Sequence, residues 1–261
     1  MEEWVNLSKK KFSGYIDLFH GLSEEQQNNF TIKKEHSIRV AETAFSLAEK
    51  MHLSDSEKGL AFFIGMFHDI GRFKQLIEFN TFDDSKSVDH ADYSVQVLKE
   101  NNFFGLLEEG QEELVLPAIL NHNKRELPKN LSKEELLFSQ LIRDADKLDI
   151  LKVLSDYYSN PRAIANHTLT WEKPSGGAIS KEVAKQVLSG VIVSKDKIEN
   201  QLDIKVMQLS WVYDINFKPS FELVMKNRFL EKIYNSLPKN DKVIEIYRKV
   251  KVYAENKFLV S

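Results

Sequence analysis

The sequence predicts an all-α protein, and three observations carry that prediction. Its 261 residues hold only 10 Gly and 6 Pro, too few to punctuate a chain of short strands. Apolar residues recur at spacings of three and four, the period of a helix with one buried face. Two Ser-x-x-Glu signatures stand just ahead of apolar runs, where a helix needs its first backbone N–H groups capped.

The elements follow in order. Residues 31–51 place Ile38, Ala41, Phe45 and Ala48 on one helical face. Ser54 and Glu57 form a capping box ahead of the apolar run at residues 60–67. Residues 88–101 and 112–123 read as shorter helices, the second with Pro117 expected as a kink or a late start. Ser132 and Glu135 open a long helix over residues 134–158, rich in Leu, Ile and Ala. Beyond it, residues 181–193, 202–211, 223–237 and 242–258 read as helices, with 191–193 and 211–217 as short extended pieces. Residues 80–89 and 173–180 are polar loops, and Pro174-Ser175-Gly176-Gly177 marks the best boundary. The expected organisation is a core over residues 1–160 and a mostly helical C-terminal extension over 161–261, packed on the core as one unit. The extension is expected to lid a pocket or to form a homodimer face.

Composition removes whole classes of function. With 36 Lys+Arg against 39 Asp+Glu the net charge is −3, so no nucleic-acid partner is expected. There is no cysteine, which excludes disulfides, thiolate zinc sites, iron–sulfur clusters and cysteine nucleophiles. A metal would have to be held by His, Asp or Glu. The opening Met1-Glu2-Glu3-Trp4 is acidic and lacks an apolar run, unlike a signal peptide. The longest apolar stretch spans eight residues, where a membrane helix needs ~20. A cytoplasmic protein without a membrane partner is expected.

The chemistry-bearing residues are histidines and aspartates. Phe67-His68-Asp69-Ile70-Gly71 closes the apolar run. A carboxylate there must be exposed, paired or metal-bound, because burying it alone costs several kcal/mol. Gly71 is expected to end the helix at positive φ. His36 stands near the start of one helix, and Arg143-Asp144-Ala145-Asp146-Lys147-Leu148-Asp149 puts three aspartates inside another. Asp is a poor helix-interior residue, and three at these spacings cannot all face one way. Ile142, Asp146, Asp149, Ile150 and Val153 share a face, with Asp144 about 160° away.

The ordered set His36, His68-Asp69 and Asp146 resembles the HD superfamily of metal-dependent phosphohydrolases, over roughly residues 33–159. The resemblance implies an HD-type helical bundle with the metal at its centre. It also implies Asp146 as the ligand from the long helix, ahead of Asp144. His90 in Asp89-His90-Ala91-Asp92 and His122 in Asn121-His122-Asn123 fall where binuclear members carry extra ligands. Carried over, the first metal takes His36, His68, Asp69 and Asp146, and the second takes Asp69, His90 and His122. The implied cofactor is one or two divalent ions, of Mn, Fe, Co, Zn, Ni or Mg, with His68 and Asp69 at the catalytic centre. A metal-held hydroxide would then attack a phosphate ester or anhydride, a small nucleotide by resemblance, without a protein nucleophile. Arg72, Lys124 and Arg125 are the cations expected to bind the phosphorylated substrate. Two other readings stand beside this one: a mixed-valent di-iron oxygenase of the same superfamily, and a non-catalytic nucleotide-binding module. His20, His52 and His167 have no such context and read as ordinary. The aromatic stretch at 211–221 reads as packing.

Overall fold

A computed structural model describes residues 2–160, 162, 171 and 173–260. His167 lies outside the described residues. Among those described, all regular structure is helical and there is no strand. Among the described residues no helix is long and apolar enough to cross a membrane. The chain divides into two compact units, Met1–Asp149 and Ile150–Ser261.

The first unit holds α1 (Glu2–Ile16), α2 (Glu24–Lys50), α3 (Asp55–Phe67), α4 (Gly71–Phe79), α5 (His90–Glu100) and α6 (Glu112–Asn121). It also holds the first part of α7 (Lys133–Ser159). Helix α2 begins two turns before its apolar pattern, because Ser23 and Gln26 close a capping box of their own. The expected boxes form too: Glu57 N–H donates to Ser54 Oγ at 3.3 Å, and Glu135 N–H to Ser132 Oγ at 3.2 Å. Helix α1 buries Phe12 edge-on against Phe67 and Phe73, with ring centroids 5.7 and 5.8 Å apart. Each fully buried ring of this kind stabilises the fold by about 1.5–3 kcal/mol. Pro117 lies inside α6, which starts at Glu112, so the late start does not occur.

Two glycines set how closely the site-bearing helices approach. A Cβ on Gly65 would lie 2.6 Å from Ala41 Cα, so α3 meets the backbone of α2 directly. A Cβ on Gly71 would lie 2.5 Å from Ser94 N and 2.7 Å from Tyr93 C, so α4 meets the backbone of α5. Gly71 therefore does not act as a left-handed terminator. The link His68-Asp69-Ile70 stays right-handed at His68 and Ile70, and Gly71 opens α4. What the position requires is the absence of a side chain.

Helix α7 departs from a simple amphipathic reading. Leu141 through Ala145 are all buried, including Arg143 and Asp144, while Val153 is 45% exposed. A helix enclosed on every side shows no single apolar face, and the face inferred from residues 142–153 breaks at Val153.

The second unit contains α8 (Lys181–Leu188), α9 (Gln201–Ser210), α10 (Lys218–Lys226), α11 (Phe229–Asn235) and α12 (Asp241–Val260). Val243, Ile246, Val250 and Ala254 bury one face of α12. The expected helix at 223–237 is two helices, broken where Arg228 adopts a left-handed φ of 56°. The expected helix at 181–193 stops at Leu188. Residues 191–193 form no strand, and Trp211–Asp214 is a 3₁₀ turn rather than an extended piece. Tyr213 and Phe221 pack their rings on Tyr253 at 4.8 and 6.2 Å.

Candidate metal centre

Five segments of the first unit converge on one buried point. Helix α2 brings His36, the α3–α4 link brings His68 and Asp69, and α5 brings His90 as its first residue. His122 closes α6 and Asp146 comes from α7. Asp69 divides the histidines into two pairs. Its Oδ2 lies 3.8 Å from both His36 Nε2 and His68 Nε2. Its Oδ1 lies 3.5 Å from His90 Nε2 and 3.7 Å from His122 Nε2. Asp146 Oδ1 joins the first pair, 3.2 Å from His36 Nε2 and 3.9 Å from His68 Nε2. All four histidines and Asp69 are buried. The six ligand residues expected from the sequence thus lie together.

The hydrogen bonds behind the histidines fix their tautomers. Each Nδ1 faces an oxygen that can only accept. His36 Nδ1 donates to Asp149 Oδ2 at 2.7 Å and His68 Nδ1 to Gly65 O at 2.8 Å. His90 Nδ1 donates to Asp84 Oδ2 at 2.5 Å and His122 Nδ1 to Ile119 O at 2.7 Å. In a neutral ring with Nδ1 protonated, Nε2 carries the free lone pair. In their neutral forms all four rings therefore turn that lone pair inward. His90 and His122 bring Nε2 within 3.0 Å of each other, and His68 Nε2 and Asp69 Oδ1 are buried with no donor among the described residues. Lone pairs gathered around carboxylate oxygens repel one another unless a cation lies among them. The donor set fits divalent metal, and three of these residues, His36, His68 and Asp146, already bring ligand atoms within 4.8 Å of one another.

Protonation at His68 and His90 agrees. Burial pushes His68 down to about 3 and lowers His90 as well, so both rings stay neutral. Burial opposes ionisation of Asp69, but Lys33 and the surrounding histidines outweigh it and hold the carboxyl well below its ordinary range. Asp146 is likewise lowered, burial being outweighed by its hydrogen bond with His36. Burial opposes charge on His36, yet Asp146 and Asp149 on either side raise it, marking a spot that attracts positive charge.

A supporting layer holds the ligands. Asp149 accepts from Arg39 Nε at 2.6 Å and Nη2 at 3.0 Å while orienting His36. Asp84 accepts from Arg72 Nη1 at 2.8 Å and Gln75 Nε2 at 3.1 Å while orienting His90. Arg143 Nη1 donates to the carbonyls of Asn121 at 2.8 Å and Lys124 at 2.5 Å, fixing the α6 terminus that presents His122.

The three expected phosphate cations are placed differently from the ligands. Arg72 Nη1 is committed to Gln75, Asp84 and the Phe82 carbonyl at 2.6–2.8 Å. It braces the loop between α4 and α5, because that loop offers acceptors the sequence does not reveal. Lys124 Nζ pairs with Asp89 Oδ2 at 2.5 Å, and Arg125 is exposed. Asp89 itself caps α5, accepting from Ala91 N–H, and Asp84 orients His90, so both carboxylates of the group Asp84, Asp89 and His90 have partners within the chain. Sequence reasoning missed Lys33, Arg39, Asp84 and the orienting role of Asp149. One signal existed: Lys33, His36 and Arg39 form a row at spacing three on α2.

Residues 34–151 match the family model described as HD domain. No curated protein and no solved structure matches the chain.

Proposed function

We propose that the protein, whose residues 34–151 match the HD-domain family model, is a phosphohydrolase that uses two divalent ions to cleave a phosphate ester or anhydride. The family resemblance supports a small nucleotide as substrate. One observation carries the proposal: Asp69 turns one carboxylate oxygen to His36 and His68 and the other to His90 and His122. A carboxylate so divided suits two cations rather than one. His36, His68, Asp69 and Asp146 would hold the first ion, and Asp69, His90 and His122 the second.

Bound there, divalent ions lower the pKa of water from 15.7 toward ~7 and polarise a phosphoryl oxygen. The chain's own residues do the rest. Asp149 and Asp84 keep His36 and His90 in the tautomer that offers Nε2. The Gly65 and Ile119 carbonyls do the same for His68 and His122. Burial keeps the His68 and His90 rings neutral. Asp146 is the ligand residue most open to solvent, with 18% of its side chain exposed, so substrate and water enter on its side.

The test is metal content per chain after loading with Mn, Fe, Co, Zn or Mg, followed by phosphate release from a panel of nucleoside mono-, di- and triphosphates. Phosphate release that depends on two bound ions supports the reading. Two bound ions with no release from any substrate overturns it. A coloured iron form that consumes oxygen would move the assignment to the oxygenase branch.

A further inference from the structure

Lys33 has no part in the ligand set, yet it reaches into it. Its Nζ lies 2.8 Å from Asp69 Oδ2, the oxygen that His36 and His68 also face. Its side chain is 22% exposed, so the ammonium bridges the buried carboxylate and solvent. It also rests 5.6 Å from the ring centroid of Phe82, on the loop between α4 and α5. Of the neighbouring cations, Arg39 pairs with Asp149 and Lys124 with Asp89. Arg72 gives Nη1 to the Asp84 loop and keeps its buried Nε 3.6 Å from Asp69 Oδ1, on the His90 and His122 side, which leaves Lys33 as the cation on the Oδ2 side. An ammonium and a divalent ion cannot share one carboxylate oxygen comfortably, because like charges ~4 Å apart repel strongly inside a protein. Lysine's four-carbon stem allows the ammonium to leave without moving the helix.

We propose that Lys33 is the anion-recognising cation of this centre: it neutralises Asp69 in the metal-free protein and turns to a phosphoryl oxygen of the substrate once metal takes the carboxylate. The phosphoryl identity of the anion rests on the phosphohydrolase reading; the competition with metal does not. Phe82 gives the displaced ammonium an aromatic face on which to rest between the two positions.

The test uses the full chain with Lys33→Met, which keeps the length and removes the charge, and Lys33→Gln as a second neutral variant. Calorimetric titration of Mn into metal-free protein should show tighter binding in both variants, because a competitor for Asp69 is gone. Titration of inorganic phosphate into the metal-loaded proteins should show roughly 10- to 100-fold weaker binding, the range of a lost charge-assisted hydrogen bond. Lys33→Arg should restore most of the phosphate affinity. Weaker or unchanged metal binding would make Lys33 a structural support for Asp69 and overturn the proposal, as would unchanged phosphate affinity. If the wild type binds phosphate through Lys33 but hydrolyses nothing, the hydrolase reading fails while the Lys33 assignment stands.

Discussion

Gly71→Ala tests whether backbone contact between α4 and α5 sets the second half of the metal centre. The added Cβ would meet Ser94 N at 2.5 Å, Tyr93 C at 2.7 Å and Ser94 Cα at 3.0 Å. Those are backbone atoms and cannot rotate away. Ordinary contact begins near 3.4 Å, so the two helices must separate by about 1 Å. Overpacking of this kind costs about 1–3 kcal/mol, and the helix-propensity gain of Ala over Gly, about 1 kcal/mol in a helix interior, is smaller at a first-turn position. The functional effect is sharper. Metal sites tolerate ligand shifts of only about 0.2 Å, one-fifth of the required displacement. Asp69 precedes Gly71 by two residues, and His90 opens α5, so the separation falls between Asp69 Oδ1 and His90 Nε2. Gly71→Ala should therefore lose the second ion while keeping the first, and unfold a few degrees earlier. Gly65→Ala presses on α2 instead and should weaken the His36–His68 side first. Metal analysis and calorimetry on both variants check the contrast. If Gly71→Ala holds two ions at wild-type affinity and melts at the wild-type temperature, the close-approach argument is wrong.

Other outcomes follow from the same geometry. His68→Ala and Asp69→Ala should each abolish activity and leave the helical circular-dichroism signal intact; full activity in Asp69→Ala would sink the metal-centre assignment. His122→Ala should lower bound metal from about two ions to about one, because the second site has only two histidines and a share of Asp69. One ion in both proteins would make the centre mononuclear and turn His90 and His122 into substrate or proton-transfer residues. Asp84→Asn should weaken the second site about 10- to 100-fold and Asp149→Asn the first by a similar factor, each by releasing one histidine; equal losses at both sites from either variant would contradict the separate supports. Chelated protein should keep its helices but melt earlier, with a gap that grows with free metal concentration.

What the sequence disclosed and what it hid divide along a physical line. The six clustered residues were legible because metal coordination admits few residue types and the chain offers them in order: His36, His68, Asp69, His90, His122 and Asp146. The bundle was legible from periodicity and capping boxes. The supporting charges were not, because a Lys or Arg beside a helical histidine looks the same whether it meets water or a buried carboxylate. Proximity in sequence told only part of the story at Arg72, whose Nε lies 3.6 Å from Asp69 Oδ1 while Nη1 turns to a loop whose acceptors only folding supplies. The row Lys33, His36 and Arg39 was the better guide. Its outer members pair with Asp69 and Asp149, and Arg72 pairs with Asp84, so three of the site's carboxylates have a cationic partner from the chain itself. That compensation has a consequence for folding. A centre whose buried negative charge waited wholly on metal would destabilise the metal-free chain by several kcal/mol per ion. Here Asp146 alone relies mainly on His36, so the helices can assemble first and metal can bind a site already formed.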